Sequence, residues 1–507
     1  MSRSGWCGAL AAITALTFVL PAAATAQTPP KTGSIEQVGH EPLMNRGMNA
    51  AIAVHGDYAY IGSRTDGGHV DEETGELMPH GGIMIVDISD PSEPELLGPP
   101  LFPAPGESSR ELRVWRSQDV LIVLNTNCGQ GDMLHHCTAP SVSNFRFYDI
   151  GGANATDPQL LTQLDVNTHE FYLWEDPNDP DRALMFAGNA STNPNCTVSD
   201  IGVNSCPLEV WDISGVPQGD DPVSLYGAFG GPHGYTRVPP SPAPVQVPGG
   251  GLHSLSISND GSTAYYALLT GGFAVVDVSD FSDGAPFPQP HPITVNALRP
   301  HWPGPGAHSA VKFWGRDWAY VSDEVYGTAT GSAHGCPWGW ARMVDISDPT
   351  APTVKGEYRL PENDPSTCGT WNPPHTSYSA HNPTLTPHVV LTTWHSGGFQ
   401  AIGIQNPQRP YQLAEFFPEP LDEVMLEDPR LSDDPDTGRH EKVVMWSYPV
   451  VKDGLIYVVD LRNGLYVLKY RGAFEKEIQR IRFLEGNSNQ GNALCYEPVG
   501  TAPGYCG

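Results

Sequence analysis

Positive charge is scarce in this chain. Its 507 residues hold 27 lysines and arginines against 57 aspartates and glutamates, a formal net charge of -30. That balance argues against nucleic acid and anionic membrane surfaces as partners, because both are met with basic patches. Long apolar runs are missing too once the first residues are set aside, so no later segment is expected to span a bilayer. Residues 1–26 themselves read as a processed export signal, with Arg3, an apolar run from Leu10 to Leu20, and Ala-Thr-Ala ahead of Gln27. Its removal would leave a net charge of about -31 and a periplasmic or extracellular protein.

Other absences narrow the chemistry. No GxSxG elbow, P-loop or HExxH helix occurs, and no calcium-loop spacing of the D-x-[DN]-x-[DN]-G type. CxxC pairs are absent, which speaks against a thiolate metal site. Eight cysteines remain beyond residue 26, an even number suited to an oxidising compartment. Sequential pairing, Cys128–Cys137, Cys196–Cys206, Cys336–Cys368 and Cys495–Cys506, is the simplest connectivity. Each closed loop would contribute roughly 2–4 kcal/mol by restricting the unfolded chain. Helical periodicity is nearly missing, apart from a short candidate near Phe474 to Ile481.

What the chain does have is one strand pattern, repeated. It appears as GIMIVDISDPSEPELLG, NFRFYDIGGANATDPQLL, LEVWDISGVPQGDDPVSL, GFAVVDVSDFSDG and WARMVDISDPTAPTVKGEY, then in two decayed copies, GFQAIGIQNPQRPYQLAEF and GLYVLKYRG. The aligned positions, Asp87, Asp149, Asp212, Asp277, Asp345, Gly403 and Lys469, lie 58 to 68 residues apart. Each unit has room for four strands, the signature being the third. Seven such units predict an all-β fold, a closed seven-bladed β-propeller of four-stranded blades spanning residues 45–472. A solenoid fits less well, for want of capping repeats. Residues 27–44 form an N-terminal segment and 473–507 a C-terminal tail with a disulfide loop. The outer strand of the last blade can come from residues 34–43 or from 478–486. The five aligned aspartates suit turns, where a carboxylate bonds the backbone two residues on.

The IMIVDISDP and ARMVDISDPTAP stretches resemble the LVIVD repeat of exported bacterial propellers, a resemblance that implies the fold and little about activity. HTSYSAHNPTLTPHVVLTTWHSGGFQAIGIQNP, with the histidines along inner strands, is also similar to the selenium-binding protein and methanethiol oxidase family. That likeness implies a metal-dependent oxidase.

The histidines recur in register. His169 in NTHEFYLW, His253 in GLHSLSIS, His308 in GAHSAVKF and His381 in SAHNPTL fall at equivalent places on the first strands of blades three to six. First strands line a propeller's channel, so four imidazoles from adjacent blades can converge on the axis and ligate a metal at roughly 2.0–2.1 Å. Blade one offers Asn49 there, blade seven Trp446 and blade two Glu111. His395, in the turn between the second and third strands of blade six, faces the same end. Glu111 and His395 are therefore candidate catalytic groups, and Asp323 and Glu324 candidate partners that orient the imidazoles. His135, His136, His375 and His440 read as surface or loop-packing residues. Long inserts at 63–81, 125–143, 188–207 and 325–339 would cover this end of the channel. Imidazole ligands suit copper, then iron, and point to redox chemistry on a small molecule. The alternatives are a non-catalytic propeller that recognises a protein or glycan through its rim loops, and a metal-assisted hydrolase or lyase.

Overall fold

Residues 83–86 are apolar at every position, not at alternate ones, and Ile83, Met84, Ile85 and Val86 are all buried. A strand of this kind needs both faces of its sheet covered. The computed structural model describes residues 32–65, 81–101, 106–127, 143–166, 168–188, 208–226, 252–269, 271–286, 288–294, 306–324, 339–364, 377–427 and 442–486. Within them, seven antiparallel sheets follow one another along the chain. Their inner strands are Asn49–His55, Glu107–Trp115, Glu170–Glu175, Ser254–Ile257, Ala307–Lys312, Pro383–Leu385 and Val450–Lys452. The signature strand is third in every blade, and the architecture is a seven-bladed β-propeller.

The blades are held face to face by apolar clusters. Trp115, Phe147, Leu173 and Met185 fill the gap between blades two and three, and Tyr172, Phe186, Leu255 and Tyr266 that between three and four. Trp394, Tyr320 and Ile402 join blades five and six. Tyr448, Val467 and Val54 belong to a cluster that links blade seven back to blade one, so the ring closes. The signature aspartates have the turn role expected. Asp87, Asp149, Asp212, Asp277 and Asp345 each accept a bond at 2.8–3.0 Å from the backbone N–H two residues on.

The two candidate segments for closing blade seven have separate places. Ser34–Glu41 is its outer strand, antiparallel to Gly464–Arg471. His40 fastens it by stacking on Tyr466 and bonding the Asn463 carbonyl at 2.7 Å. Phe483–Glu485 instead pairs with the inner strand Val450–Lys452 on its axial edge. This segment runs alongside that inner strand, with the Arg116 guanidinium over the Phe483 ring and Glu485 facing Arg113. The expected tail is thus partly blade, with a short helix at Glu475–Ile478. Among the described residues no helix is long and apolar enough to cross a membrane. The expected export signal at residues 1–26, all the cysteines, most of each long insert, and His135, His136, His375 and His440 lie outside the described residues.

Candidate metal centre

Repeat geometry puts the histidines at the channel mouth. His169, His253 and His381 stand just before the inner strands of blades three, four and six. Their backbone N–H groups bond the second-strand carbonyls of Gly188, Ala267 and Thr393 at 2.9–3.0 Å. His308 occupies a β-bulge, since Ala307 pairs with Asp323 and Ser309 with Ser322. A bulge re-aims the side chain it carries. Ring centroids are 4.5 Å apart from His169 to His253, 3.9 Å to His308 and 4.2 Å to His381. His395 adds a fifth ring, 5.1 Å beyond His381. It reaches there from a turn residue at φ 39°, fixed by reciprocal backbone bonds with Met445. Such backbone strain costs about 1–3 kcal/mol and persists where surrounding structure enforces it.

Two carboxylates close the row from below. Glu324 Oε1 lies 3.1 Å from His381 Nε2 and 3.2 Å from His395 Nε2, and its Oε2 lies 3.3 Å from His308 Nε2. Glu170 Oε1 lies 3.4 Å from His308 Nε2 and 3.7 Å from His253 Nδ1. Ligand atoms on one ion, with bonds of roughly 2.0–2.1 Å, sit about 2.9–3.4 Å apart in octahedral or tetrahedral geometry. The Glu324 distances fall in that range. Three overlapping trios have ligand atoms within 4.8 Å of one another: His169–Glu170–His253, His253–His308–Glu324 and Glu324–His381–His395.

Hydrogen bonds on the far side of the rings fix what faces the centre. His381 Nδ1 meets the Trp446 carbonyl, which can only accept, so Nδ1 carries the hydrogen and Nε2 the lone pair. Ser309 Oγ donates to Asn382 Oδ1 at 2.6 Å and so accepts from His308 Nδ1 at 2.8 Å. His308 Nε2 therefore also presents a lone pair. Both lone pairs point at Glu324, an acceptor, and neither nitrogen makes a directed hydrogen bond. A proton between His381 and Glu324 would satisfy one contact, and one on Glu170 at most one more. A cation satisfies them together.

Electrostatics point the same way. Burial pushes His169 and His308 well below the ordinary imidazole value and His253 down to about 3. His381 is lowered as well, by burial against the pull of Glu324. Burial opposes charge on Glu324, but His381 and His308 outweigh it and hold the carboxyl well below its usual range. Glu170 is held well above it, by burial first and by Glu111 next. Burial thus disfavours imidazolium throughout the cluster, and uncharged imidazole is the ligand form a transition metal needs.

The four register histidines and His395 are thus brought together, and Glu324 joins them. Asp323 turns away to pair with the buried Arg342. Glu111 sits one layer deeper, 3.4 Å from Arg113, whose other neighbours are Tyr448 and Glu485. Its neighbour Arg110, in a bulge between Ser109 and Glu111, meets His169 instead. Asn49 is occupied by Arg46, at 2.6 Å. Trp446 stacks on His381 at 5.1 Å. Sequence reasoning missed Glu170, Arg110 and Arg64. The first was legible as the residue after His169. The arginines were hidden by the bulge and by placement on blades without a histidine.

Fold and site together define a seven-bladed β-propeller with a histidine–carboxylate cluster on its axis. Residues 46–67, 79–99 and 342–359 match the LVIVD repeat. The protein is a seven-bladed β-propeller that carries LVIVD repeats in its first and fifth blades. No curated protein sequence matches the chain significantly. Among solved structures it is similar to Sqt1 of Chaetomium thermophilum, at 13% identity and TM-score 0.43, over 89% of this chain and 96% of that one. It is also similar to the periplasmic gluconolactonase PpgL of Pseudomonas aeruginosa, at 14% identity and TM-score 0.43, over 77% and 92%. At such distances neither carries a functional argument.

Proposed function

We propose that the protein is an exported metal-dependent oxidoreductase that acts on a small molecule at the channel mouth. The observation that carries this reading is the pair of imidazole lone pairs, on His308 and His381, aimed at the ionised Glu324. His169 and His253 extend the donor set, and His395 and Glu170 flank it. Imidazoles suit copper and iron, and the Glu324 carboxylate brings iron level with copper. A redox-active ion held on one arc of the axis, with blades seven, one and two opposite, keeps coordination positions for a substrate. The protein supplies the oriented imidazoles, through Ser309, Asn382 and the Trp446 carbonyl, and walls that limit water.

Elemental analysis of the full chain tests the reading, beside a His253→Ala, His308→Ala double variant checked for folding by circular dichroism. Near-stoichiometric copper or iron, lost in the folded variant, supports it. No metal in either protein after reconstitution with both ions refutes it and leaves a propeller that binds a protein or glycan through its rim.

A further inference from the structure

Arg110 is a cation placed where a metal site would ordinarily exclude one. Its two terminal nitrogens lie 3.2 Å from His169 Nδ1 and 3.1 Å from Nε2. A neutral imidazole has one lone pair, so at most one of these contacts is a hydrogen bond. Arg110 Nε is buried with no partner, and no described carboxylate lies within ion-pair distance of this guanidinium. The Arg110 Cζ and the Arg64 Cζ are each 5.5 Å from the centre of the Trp446 ring. The same ring stacks on His381.

At the mouth, among the described residues, the charges do not balance without an added anion. Glu324 and Glu170 bring at most two negative charges there. A divalent ion and Arg110 bring three positive. The carboxylates of the layer beneath, Glu111 and Glu485, face Arg113 and lie beyond ion-pair distance of Arg110. Ligation would also take the His169 lone pair, which is the acceptor Arg110 now uses. A guanidinium left so close to a metal needs a two-oxygen acceptor, and a carboxylate matches its fork.

We propose that the site takes a small organic carboxylate, held by Arg110, so that the rest of the molecule faces the histidine cluster. This rests on the metal reading for its chemistry but not for its binding test. The route in lies on the same side, since His169 and Arg110 are only half-buried while His308 and His381 are fully buried.

The test is calorimetric titration of the full-length protein with acetate and benzoate against acetamide and benzamide. It is done metal-free and after loading with copper or iron. Carboxylates should bind and the neutral amides should not, with tighter binding after loading. Arg110→Gln should weaken carboxylate binding about 10–100-fold, the range for a charged hydrogen bond, with metal content retained. Arg110→Lys, which keeps the charge and loses the fork, should fall between. Amides binding as well as acids, or an Arg110→Gln protein that binds carboxylates like the wild type, overturns the proposal while a metal-loaded protein leaves the metal reading standing. Arg110-dependent carboxylate binding in a protein that takes up no metal does the reverse.

Discussion

Acidifying the metal-free protein from pH 7 to pH 5 should cost the wild type about 2 kcal/mol more stability than a His253→Gln variant. His253 titrates at about 3 in the folded protein against 6.5 when unfolded, because burial withholds water from the imidazolium. The unfolded chain therefore takes up a proton below pH 6.5 that the folded chain refuses until about pH 3. Stability from this residue is fully present above 6.5 and is lost as pH falls. At 1.36 kcal/mol per pH unit, the interval from 6.5 to 5 gives about 2 kcal/mol. Other groups pull the opposite way. Burial pushes Glu485 and Glu209 up to about 7, so each is more favourable in the folded state at low pH. They are present in both proteins and cancel in the difference. Urea unfolding with a chelator, at half-unit steps between pH 5 and 8, reads the two curves. Parallel curves would refute the buried neutral imidazole, and with it the protonation state on which the metal centre depends.

Three further outcomes are expected. Ser309→Ala removes the acceptor that holds the His308 hydrogen on Nδ1, and should weaken metal binding about 10-fold in a competitive chelator titration, with the fold unchanged. Asp323→Ala removes the carboxylate that pairs with the fully buried Arg342, and should destabilise the protein by about 3 kcal/mol in urea unfolding. Glu209 is buried with neither carboxylate oxygen hydrogen-bonded. Glu209→Gln should therefore stabilise by about 3 kcal/mol at pH 8 and by less than about 1 at pH 5, and an equal gain at both would contradict a raised carboxyl.

The ring was legible because one signal was repeated. A strand ending in Asp, with a turn that the Asp itself caps, marks the third strand of five blades, and the decayed copies at Gly403 and Lys469 still fall at the right spacing. The histidines were legible for the same reason, since register along a repeat is register around an axis. What was not legible depends on one-residue offsets. At Arg110 a bulge swaps which of two neighbours reaches the mouth, so Glu111 was named where Arg110 arrives. Asp323 and Glu324 were equivalent on paper, yet alternation sends the first to Arg342 and the second to the imidazoles. Blade seven hid its closure differently. Both candidate segments carry strand-like patterns, and both are used, on opposite edges of one sheet.

The outer strand of that blade has a consequence for how the molecule is made. Glu36 bonds Arg471 across 435 residues of chain. At about 5–20 residues per second, a ribosome needs roughly 20–90 s to produce the second after the first. For that interval Ser34–Glu41 is a strand without a sheet, and blade one presents an uncovered flank, which is the kind of surface that recruits wrong neighbours. The ring becomes a ring only once residue 471 has been made, and the Phe483–Glu485 segment can pair with the inner strand of blade seven only after that. A holding factor, or passage through a membrane as an extended chain, would serve such a protein better than early folding.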